Sequence, residues 1–558
     1  MSKTFTGKQI LMDTLEAEGV RYVFGNPGTT ELPLIDGLID YSSIEYIFAL
    51  HEAVAVSMAD AYAQMTGSVG VVNLHVGPGL GNGLGSVYNA WEGQTPLLVT
   101  AGQQDNRMRL REPLLGHDLV AMAAPLTKWS VEAQSADELP LVLNRAFKTA
   151  RETPSGPVFV SLPINVMEQK TAHPPMGPSA VYPSTAPDPS GVDAAAEILL
   201  SARRPLVICG DKVARTGAND ALLRVVELVG APVYSVVLPA RLNFPNQHAH
   251  FRDRMANDQA AIRARVDDSD AVLMVGGEFF EEVWFVDGSP FPAGVRLIQI
   301  DPSPANLGRN YSVDVGLLGD PRVALEALAE RLEGSAKQAY RDAADARRSD
   351  LKQEKQTAQA AQLDKARAPL GNRAMSPARL MAELATALPG DVCVASEAIT
   401  ASPDMLRTLH FETSADLLMS RGGGIGQGLP SAIGLKLANP HRPVLCISGD
   451  GSACYTPQAL WTAAHHQIPV VFLILNNASY RILKLNMDRY RREASIPKDR
   501  PYPHMDLGAP AVDFVRVANG FGVEARKLSN PDDVGPAVKA AFDANAPFLL
   551  DVAVDGAV

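Results

Sequence analysis

The stretch LCISGDGSACYTPQALWTAAHHQIPVVFLILNNAS, residues 445–479, contains two apolar runs that each end in a polar turn. The first run, which begins one residue before the quoted stretch and covers 444–448, leads into Gly-Asp-Gly at 449–451. The second run, 470–475, leads into Asn-Asn at 476–477. A continuous apolar run bounded by turn residues is typical of a strand buried on both faces, and the segment between the runs has a helical pattern. The stretch therefore predicts a strand–helix–strand unit of a parallel sheet.

Both polar turns are predicted at the carboxyl ends of their strands, where open α/β sheets bind ligands. Mg²⁺ prefers oxygen ligands in octahedral geometry and often shares them with phosphates. Asp450, the amide oxygen of Asn477 and a backbone carbonyl would leave positions for a diphosphate and water, and Ser452 at the head of the next helix can donate to phosphate. Asp-Gly and Asn-Asn are also common in ordinary turns, so only the pair at this spacing indicates a metal–diphosphate site.

Outward from this stretch, apolar runs alternate with helical patterns in three blocks. The predicted strands are 21–24, 44–50, 71–76 and 96–100, then 205–209, 271–275 and 295–300, then 392–395, 444–448, 470–475 and 548–552. The predicted divisions are an N-terminal domain at 1–183, a central domain at 191–332, a charged helical connector at 335–368 and a C-terminal domain at 370–558. This alternation predicts an α/β protein with three doubly wound parallel-sheet domains in series.

Composition excludes several classes of function. The 558 residues include 50 basic and 62 acidic side chains, a net charge of −12 with no basic block, so nucleic-acid binding is not expected. No stretch approaches the roughly 18 apolar residues that span a bilayer, and the first residues do not resemble a signal peptide. The four cysteines form no C-x-x-C pair, as is typical of thiols in a reducing compartment. We therefore expect a soluble, cytoplasmic protein without a membrane partner.

Two glycine runs, at 77–83 and 422–428, raise the alternative of a dinucleotide site. Neither contains a full G-x-G-x-x-G, because the third glycine is replaced by Asn82, Leu84 or Leu429, depending on the starting residue. No G-x-x-x-x-G-K-[ST] loop and no zinc-ligand spacing occur either. NAD and ATP chemistry are therefore not expected, while the residues disfavour FAD in the central domain without deciding against it.

The paired turns at 449–451 and 476–477 resemble the cofactor motif of the thiamine-diphosphate-dependent enzymes, in their decarboxylase and acetolactate-synthase-like group. Other stretches resemble its benzoylformate-decarboxylase branch: VFGNPGTTELP (23–33), NLHVGPGLGN (73–82), NAW (89–91), LLVTAGQQ (97–104), APLTKWS (124–130) and ALWTAAHHQIP (459–469). The resemblance covers nearly the whole chain. It implies pyrimidine-binding, central and diphosphate-binding domains, and an enzyme that uses thiamine diphosphate and Mg²⁺ to cleave the bond next to a 2-oxo group.

The resemblance also assigns residues to the cofactor. Its metal ligands become Asp450, Asn477 and the carbonyl of Ser479, and Glu52, in FALHEAVAVSMADAYAQMTG, faces the pyrimidine N1′ atom. Ile425 supports the bent cofactor. The other implied cofactor contacts are Asn82, Thr400, Gly423, Gly449, Gly451, Ser452 and Tyr480. Ordinary alternatives remain, because a glutamate is also favoured in the first turn of a helix and buried aliphatic residues are common.

On the substrate side, the resemblance makes His75 an acid/base and places Thr29 at the substrate carboxylate. Val283 stands where the branch carries a second active-site histidine, so the proton that completes a decarboxylation needs another donor. His117 is one candidate, and a solvated loop histidine is the alternative. Leu115 and Leu483 are further expected substrate contacts.

Arg481 occupies a position where the branch has a small residue. Our hypothesis is that it binds a second anionic or polar group of the substrate. The alternative is an arginine whose stem covers apolar surface while its charge reaches solvent or an acid.

The sequence leaves three functions open. Non-oxidative decarboxylation of a 2-oxo acid is the expected one, and a carboligase or lyase, acting on 2-oxo acids or hydroxyketones, is the alternative. A catalytically silent cofactor-binding scaffold is the remote third. The family builds each site between two subunits, which implies a homodimer at least and a homotetramer as the expected assembly.

Overall fold

The structure is a computed structural model that describes residues 3–278, 280, 283–369 and 374–558. The chain divides into two compact units. Unit 1 contains the residues up to 181 together with 389–400 and 420–558, and unit 2 contains 182–388 and 401–419. The predicted boundaries at residues 1 and 370 lie outside the described residues, and the predicted domain limits stay predictions.

The N-terminal part of unit 1 is a six-stranded parallel sheet with the order β3-β2-β4-β5-β7-β6. Its strands, with a separate antiparallel pair β1–β8, are β1 Phe5–Thr6, β2 Tyr22–Gly25, β3 Glu45–Phe48, β4 Gly70–Leu74, β5 Leu97–Gln103, β6 Ser130–Glu132, β7 Val158–Pro163 and β8 Lys170–Thr171. Its helices are α1 Gly7–Ala17, α2 Leu32–Gly37, α3 Glu52–Thr66, α4 Val76–Glu92, α5 Leu119–Ala123, α6 Leu139–Arg151 and α7 Ile164–Glu168. The helix α3 is apolar on nearly every face, which suits burial between the sheet and the neighbouring helices α4 and, from the C-terminal part, residues 428–438.

Unit 2 contains a second six-stranded parallel sheet, with the order β11-β10-β9-β12-β13-β14. Its strands are β9 Pro205–Cys209, β10 Val233–Ser235, β11 Phe251–Arg254, β12 Ala271–Val275, β13 Arg296–Asp301 and β14 Val315–Leu318. Its helices before residue 388 are α8 Pro189–Ser201, α9 Asp211–Arg215, α10 Asn219–Val229, α11 Gln259–Val266, α12 Pro321–Ser335, α13 Gln338–Arg367 and α14 Pro377–Ala387.

The strand order in unit 2 is the order found in dinucleotide-binding sheets, whose ligands bind where the order reverses. That place lies after β9 and β12, and here the two loops touch: a Cβ added to Gly210 would lie 2.6 Å from the Gly276 carbonyl oxygen and 2.6 Å from the Gly277 Cα. The expectation that FAD is not used stays a prediction.

The C-terminal part of unit 1 is a third parallel sheet, in which β15, β17, β18, β20 and β19 follow one another. The remaining strands are β15 Cys393–Glu397, β16 Leu417–Met419, β17 Val444–Gly449, β18 Val471–Asn476, β19 Glu524–Leu528 and β20 Phe548–Ala553. The remaining helices are α15 Ser402–Thr408, α16 Gly428–Ala438, α17 Asp450–Ala453, α18 Ala459–His465, α19 Arg481–Glu493, α20 Phe514–Gly520 and α21 Val534–Asp543. Of these elements, α15 and β16 belong to unit 2.

Three parallel sheets covered by helices confirm the predicted α/β fold class. Among the described residues, no helix is both long enough and apolar enough to cross a bilayer. The expected cytoplasmic location stays a prediction.

Candidate active site

The two polar turns at 449–451 and 476–477 lie side by side. Strands β17 and β18 are parallel neighbours, and Gly449 at the end of β17 is in register with Leu475, one residue before the end of β18. Because parallel strands end at the same edge of a sheet, the turns that follow them, at Asp450 and Asn477, meet there. The sequence predicted this arrangement correctly.

A buried carboxylate joins the two turns. The Asp450 side chain accepts hydrogen bonds from the backbone amides of Gly451 at 2.8 Å, Asn477 at 3.1 Å and Ser479 at 3.3 Å. Asp450 is 5% exposed, and this burial raises the pKa of its carboxyl group. The hydrogen bonds from the amides oppose part of that rise, because they stabilise the charged form. The Asn477 amide oxygen accepts from the Ser479 amide at 3.0 Å. Two hard oxygen donors therefore lie together, as a magnesium site requires.

Glycines make room around this turn. A Cβ on Gly449 would meet no atom within 4 Å, so open space adjoins the backbone there. A Cβ on Gly451 would lie 2.5 Å from the ring of Tyr480, so only glycine lets that ring pack against the turn. Ser452 is 6% exposed and lies within a single helical turn, α17, where the sequence had indicated the start of a longer helix.

The glycine-rich loop that precedes α16 carries Ile425. Gly422, Gly423 and Gly426 have φ values of +84°, +81° and +99°, which side chains rarely tolerate. The Asn89 side chain from α4 binds the middle of the loop twice, donating to the Gly424 carbonyl at 3.1 Å and accepting from the Gly424 amide at 3.1 Å. Ile425 is thus held on a loop of defined shape, next to an exposed Gly423.

Glu52 is the first residue of α3 and is 6% exposed. Asn82 donates to one carboxylate oxygen at 3.0 Å and Asn26 to the other at 3.4 Å. A Cβ on Gly79 would lie 3.1 Å from this carboxylate and 3.2 Å from the Cβ of His75, so Glu52 and His75 both approach the same glycine. The structure therefore brings together three of the predicted site residues, Glu52, His75 and Asn82.

His75, which immediately precedes α4, is held by a second buried carboxylate. Its Nδ1 lies 2.8 Å from the carboxylate of Glu31, whose side chain is fully buried. Glu31 also accepts from the Gly28 amide at 2.8 Å and from the Thr30 hydroxyl at 2.8 Å. Gly28 lies against the imidazole, because a Cβ there would be 2.1 Å from Nδ1. This arrangement fixes Nδ1 toward Glu31 and leaves Nε2 as the outward nitrogen.

The other substrate-side residues are more exposed. Thr29 is an exposed residue of the short turn that precedes α2. His117 is also exposed, and its Cβ would lie 3.8 Å from a Cβ on Gly77, two residues beyond His75. Leu115 lies in the same segment with a φ of +67° and 39% exposure. His117 and Leu115 therefore lie at the end of α4 where His75 stands.

Residues 478–480 connect Asn477 to α19, which begins at Arg481. The Nε of Arg481 donates to the Ala557 carbonyl at 2.9 Å, so the guanidinium is bonded to the chain on one side. Leu483 is 43% exposed. Thr400 lies three residues beyond the end of β15 and is partly exposed. In unit 2, Val283 is 69% exposed, while residues 279, 281 and 282 of the same predicted segment lie outside the described residues.

The sequence reasoning missed the residues that support the site. Glu31, Asn26 and Asn89 hold His75, Glu52 and the glycine-rich loop, respectively. All three lie in stretches that carry the family resemblance, but a supporting contact depends on the partner's position in space. The roles of the predicted site residues themselves stay predictions.

Comparison with known proteins gives the family. Residues 5–122 match the thiamine pyrophosphate enzyme N-terminal TPP binding domain, 192–328 its central domain and 400–552 its C-terminal TPP binding domain. Benzoylformate decarboxylase of Pseudomonas aeruginosa is 32% identical over 549 residues, which is 97% of this chain and 97% of that protein. A probable acetolactate synthase large subunit of Methanococcus aeolicus is 28% identical over 569 residues, 98% of this chain and 92% of that protein.

Comparison with a solved structure agrees with the family found by sequence comparison. The thiamine diphosphate-dependent 4-hydroxybenzoylformate decarboxylase of Rhodococcus jostii superposes with a TM-score of 0.85 at 30% identity, covering 99% of each chain. The matched domains lie in the order predicted from the sequence and include the turns at Asp450 and Asn477 and the carboxylate of Glu52. The chain is therefore a thiamine-diphosphate-dependent enzyme of the decarboxylase and carboligase type, and it belongs to the thiamine pyrophosphate enzyme family.

Proposed function

We propose that this enzyme uses thiamine diphosphate and Mg²⁺ to decarboxylate a 2-oxo acid without oxidation. The observation that carries the proposal is the approach of the Glu52 carboxylate and His75 to the same glycine, Gly79. Glutamate and histidine are among the side chains most often used as general acids and bases, and the two residues lie on either side of one glycine. Similarity to two aryl 2-oxo acid decarboxylases over 97% and 99% of the chain supports this reaction.

The donor atoms fit the metal and the diphosphate. Asp450, Asn477 and the carbonyl of Ser479 would hold Mg²⁺ through oxygen, the donor that this ion prefers. The open space at Gly449 leaves room for phosphate oxygens beside them. When bound, thiamine diphosphate supplies the electron sink for the bond that breaks. Glu52 would hold a proton at the pyrimidine N1′, and Ile425 would contact the cofactor from the glycine-rich loop.

His75 would move a proton at Nε2. Because Glu31 binds the Nδ1 side, the imidazole cannot rotate freely and one tautomer is favoured. Thr29 is exposed, and its hydroxyl would donate a hydrogen bond to the substrate carboxylate. His117 would serve as the second proton donor, because Val283 replaces a titratable side chain with an aliphatic one.

A carboligase is the second candidate. The replacement at Val283 favours it, because a site with fewer proton donors protonates the reacting carbon more slowly and allows a second carbonyl compound to react there. The acetolactate-synthase-like relative at 28% identity supports the same alternative. Arg481, beside Leu483, would then bind a second polar group of a smaller and more polar substrate.

The proposed working unit is at least a homodimer, with a homotetramer as the expected assembly. Leu110 is fully exposed and Leu114 is 84% exposed in the segment that leads to His117, and apolar side chains in such positions commonly mark subunit interfaces. The mass in solution, from light scattering, tests this assembly. A monomer that is active at low concentration would contradict it.

The reaction itself is tested by product analysis. Protein freed of cofactor, then given thiamine diphosphate and Mg²⁺, is offered benzoylformate, pyruvate and a 2-oxo diacid, with and without an acceptor aldehyde. We expect CO₂ and free aldehyde from at least one 2-oxo acid without acceptor. Hydroxyketone that forms only with acceptor would support the carboligase instead, and a preference for the diacid would support the role of Arg481. Silence toward all three acids in both formats would contradict the proposal.

The metal site is tested by Asp450→Asn. The amide keeps the size of the side chain but loses its charge. An NH₂ group, which is a hydrogen-bond donor, takes the place of one carboxylate oxygen and faces backbone amides, which are also donors. We expect the Mg²⁺ concentration for half-maximal activity to rise by about 100-fold. The matched control is Asp513→Asn, which changes a helix-capping carboxylate of the same unit and should leave this concentration unchanged. An equal Mg²⁺ requirement in all three proteins would exclude Asp450 as a ligand.

The role of Glu31 is tested by Glu31→Gln. The variant keeps the shape but weakens the hold on the histidine, so kcat should fall by about 10²-fold or more, the contribution of a positioned acid/base, while cofactor affinity is retained. Glu18→Gln is the control, because the Glu18 side chain is also buried and is paired with Arg151 in the same unit. If both variants keep the activity of the parent enzyme, His75 does not depend on Glu31.

A further inference from the structure

A third buried carboxylate lies at the end of a strand, and the mechanism above does not use it. Glu397 is the last residue of β15 and is 3% exposed. One of its carboxylate oxygens accepts hydrogen bonds from the amides of Gly426 at 2.9 Å and Gln427 at 3.2 Å, and the other accepts from the amide of Gly428 at 2.8 Å. Three consecutive backbone amides therefore point at one charged group.

These amides belong to the glycine-rich loop at 421–428 and to the first turn of α16. A helix begins with amides that lack partners within the helix, and a carboxylate near this end is favoured by the helix dipole. The loop itself contains glycines in the left-handed region at Gly422, Gly423 and Gly426. A loop of this kind keeps one shape only when surrounding groups hold it.

Other side chains also bind the backbone of the loop. Asn89 binds both polar atoms of the Gly424 backbone, and the Thr456 hydroxyl donates to the Gly426 carbonyl at 2.6 Å. The Gln427 side chain donates to the carbonyls of Gly424 at 2.7 Å and Arg421 at 2.9 Å. These contacts are between neutral groups, whereas the bonds to Glu397 are charge-assisted and therefore stronger.

The fit between Glu397 and the loop is close. A Cβ on Gly428 would lie 2.9 Å from the Cβ of Glu397, so the loop backbone passes directly over the side chain. The loop carries Ile425 and Gly423, two residues assigned above to the cofactor. A change at Glu397 therefore acts on the cofactor pocket through the backbone.

We propose that Glu397 is a positioning residue for the cofactor, whose carboxylate fixes the glycine-rich loop in the form that supports thiamine diphosphate. This inference rests on the proposed function, because it gives the loop the cofactor contacts assigned there. It adds a buried residue that is bonded to the backbone of the loop and that the proposed function did not assign to the metal, the substrate or the cofactor.

Titration gives this role a distinctive signature. Burial raises the pKa of Glu397 to about 7, and the three amide bonds oppose that rise. The groups that face it from the neighbouring strand are the thiol of Cys446, whose own pKa is raised by burial, and the hydroxyl of Ser448. As the pH falls through 7, the carboxylate gains a proton on one oxygen. That oxygen can then no longer accept a hydrogen bond from a backbone amide at the same position, so the bonds that hold the loop weaken.

The effect of Glu397 on the free energy of unfolding has the opposite pH dependence to its hold on the loop. A carboxyl whose pKa is higher in the folded state than in the unfolded state favours folding most at low pH, and this contribution is lost as the pH rises through 7. If the role of Glu397 were purely structural, cofactor affinity would follow the free energy of unfolding and would increase toward low pH. A positioning role predicts that cofactor affinity improves toward high pH.

The experiment compares the full-length enzyme with Glu397→Gln, which keeps the size of the side chain. Hydrogen exchange in the cofactor-free protein reports on the amides at 426–428 directly, and calorimetric titration with thiamine diphosphate and Mg²⁺ at pH 6 and pH 8 reports on affinity. We expect exchange at these amides to be about tenfold faster in the variant and its affinity at pH 8 to be about tenfold weaker, as for loss of one charge-assisted bond. We also expect the gain in affinity between pH 6 and pH 8 in the parent enzyme to be smaller in the variant.

Asp404→Asn is the matched control, because Asp404 is a buried carboxylate of unit 2 that binds Gln362 at 3.1 Å and Lys365 at 2.6 Å. It should leave both readouts unchanged. Equal exchange and equal affinity in the parent and the Glu397 variant would overturn the inference. A parent enzyme that binds no thiamine diphosphate would instead overturn the proposed function. If the variant does not fold, the parent enzyme alone tests the inference. Hydrogen exchange of its amides at 426–428, corrected for the intrinsic effect of pH, must then be slower at pH 8 than at pH 6, and equal or faster exchange at pH 8 would overturn the inference.

Discussion

Hydrogen bonds from backbone amides to buried carboxylates hold the candidate site together. Asp450 joins the ends of β17 and β18, Glu31 holds His75 next to the Gly28 turn, and Glu397 holds the loop before α16. Each charge is costly to bury, and each is offset by two or more donors at short distance. Loops that contain glycine would otherwise sample many conformations, so these bonds give the site its shape before any ligand arrives.

Close backbone contacts are the second requirement. Gly28 lies against the imidazole of His75, Gly79 lies between His75 and Glu52, and Gly451 lies under the ring of Tyr480. At Gly28 and Gly451 even a methyl group would displace the side chain that the site needs, and at Gly79 it would crowd both Glu52 and His75. Val76, which follows His75, has a φ of +43°, a strained conformation for a β-branched residue and one that is commonly found next to functional groups.

The prediction of secondary structure succeeded where strands are long and buried on both faces. Strands 205–209 and 271–275 were predicted with the observed ends, and the strands at 444–449 and 471–476 with ends shifted by one residue. The fully buried six-residue strand β7 and the five-residue strand β19 were missed nonetheless. Other missed strands, such as β6, β10 and β16, have three residues each. Their sequences carry too short a pattern to distinguish a strand from a loop, and pairing with a neighbour decides their conformation.

The sequence by itself determined the fold class, the family and the two turns that carry Asp450 and Asn477, because these depend on local patterns and on fixed spacing along the chain. Glu52 was also found in this way, since it stands where an apolar strand passes into a helix. Only the tertiary structure decided that Glu31 holds His75, that Asn89 binds the glycine-rich loop and that Glu397 accepts three amides of that loop. Those partners are 44, 335 and 29 residues apart along the chain, so no local pattern relates them, and only the folded backbone brings donor and acceptor within hydrogen-bond distance.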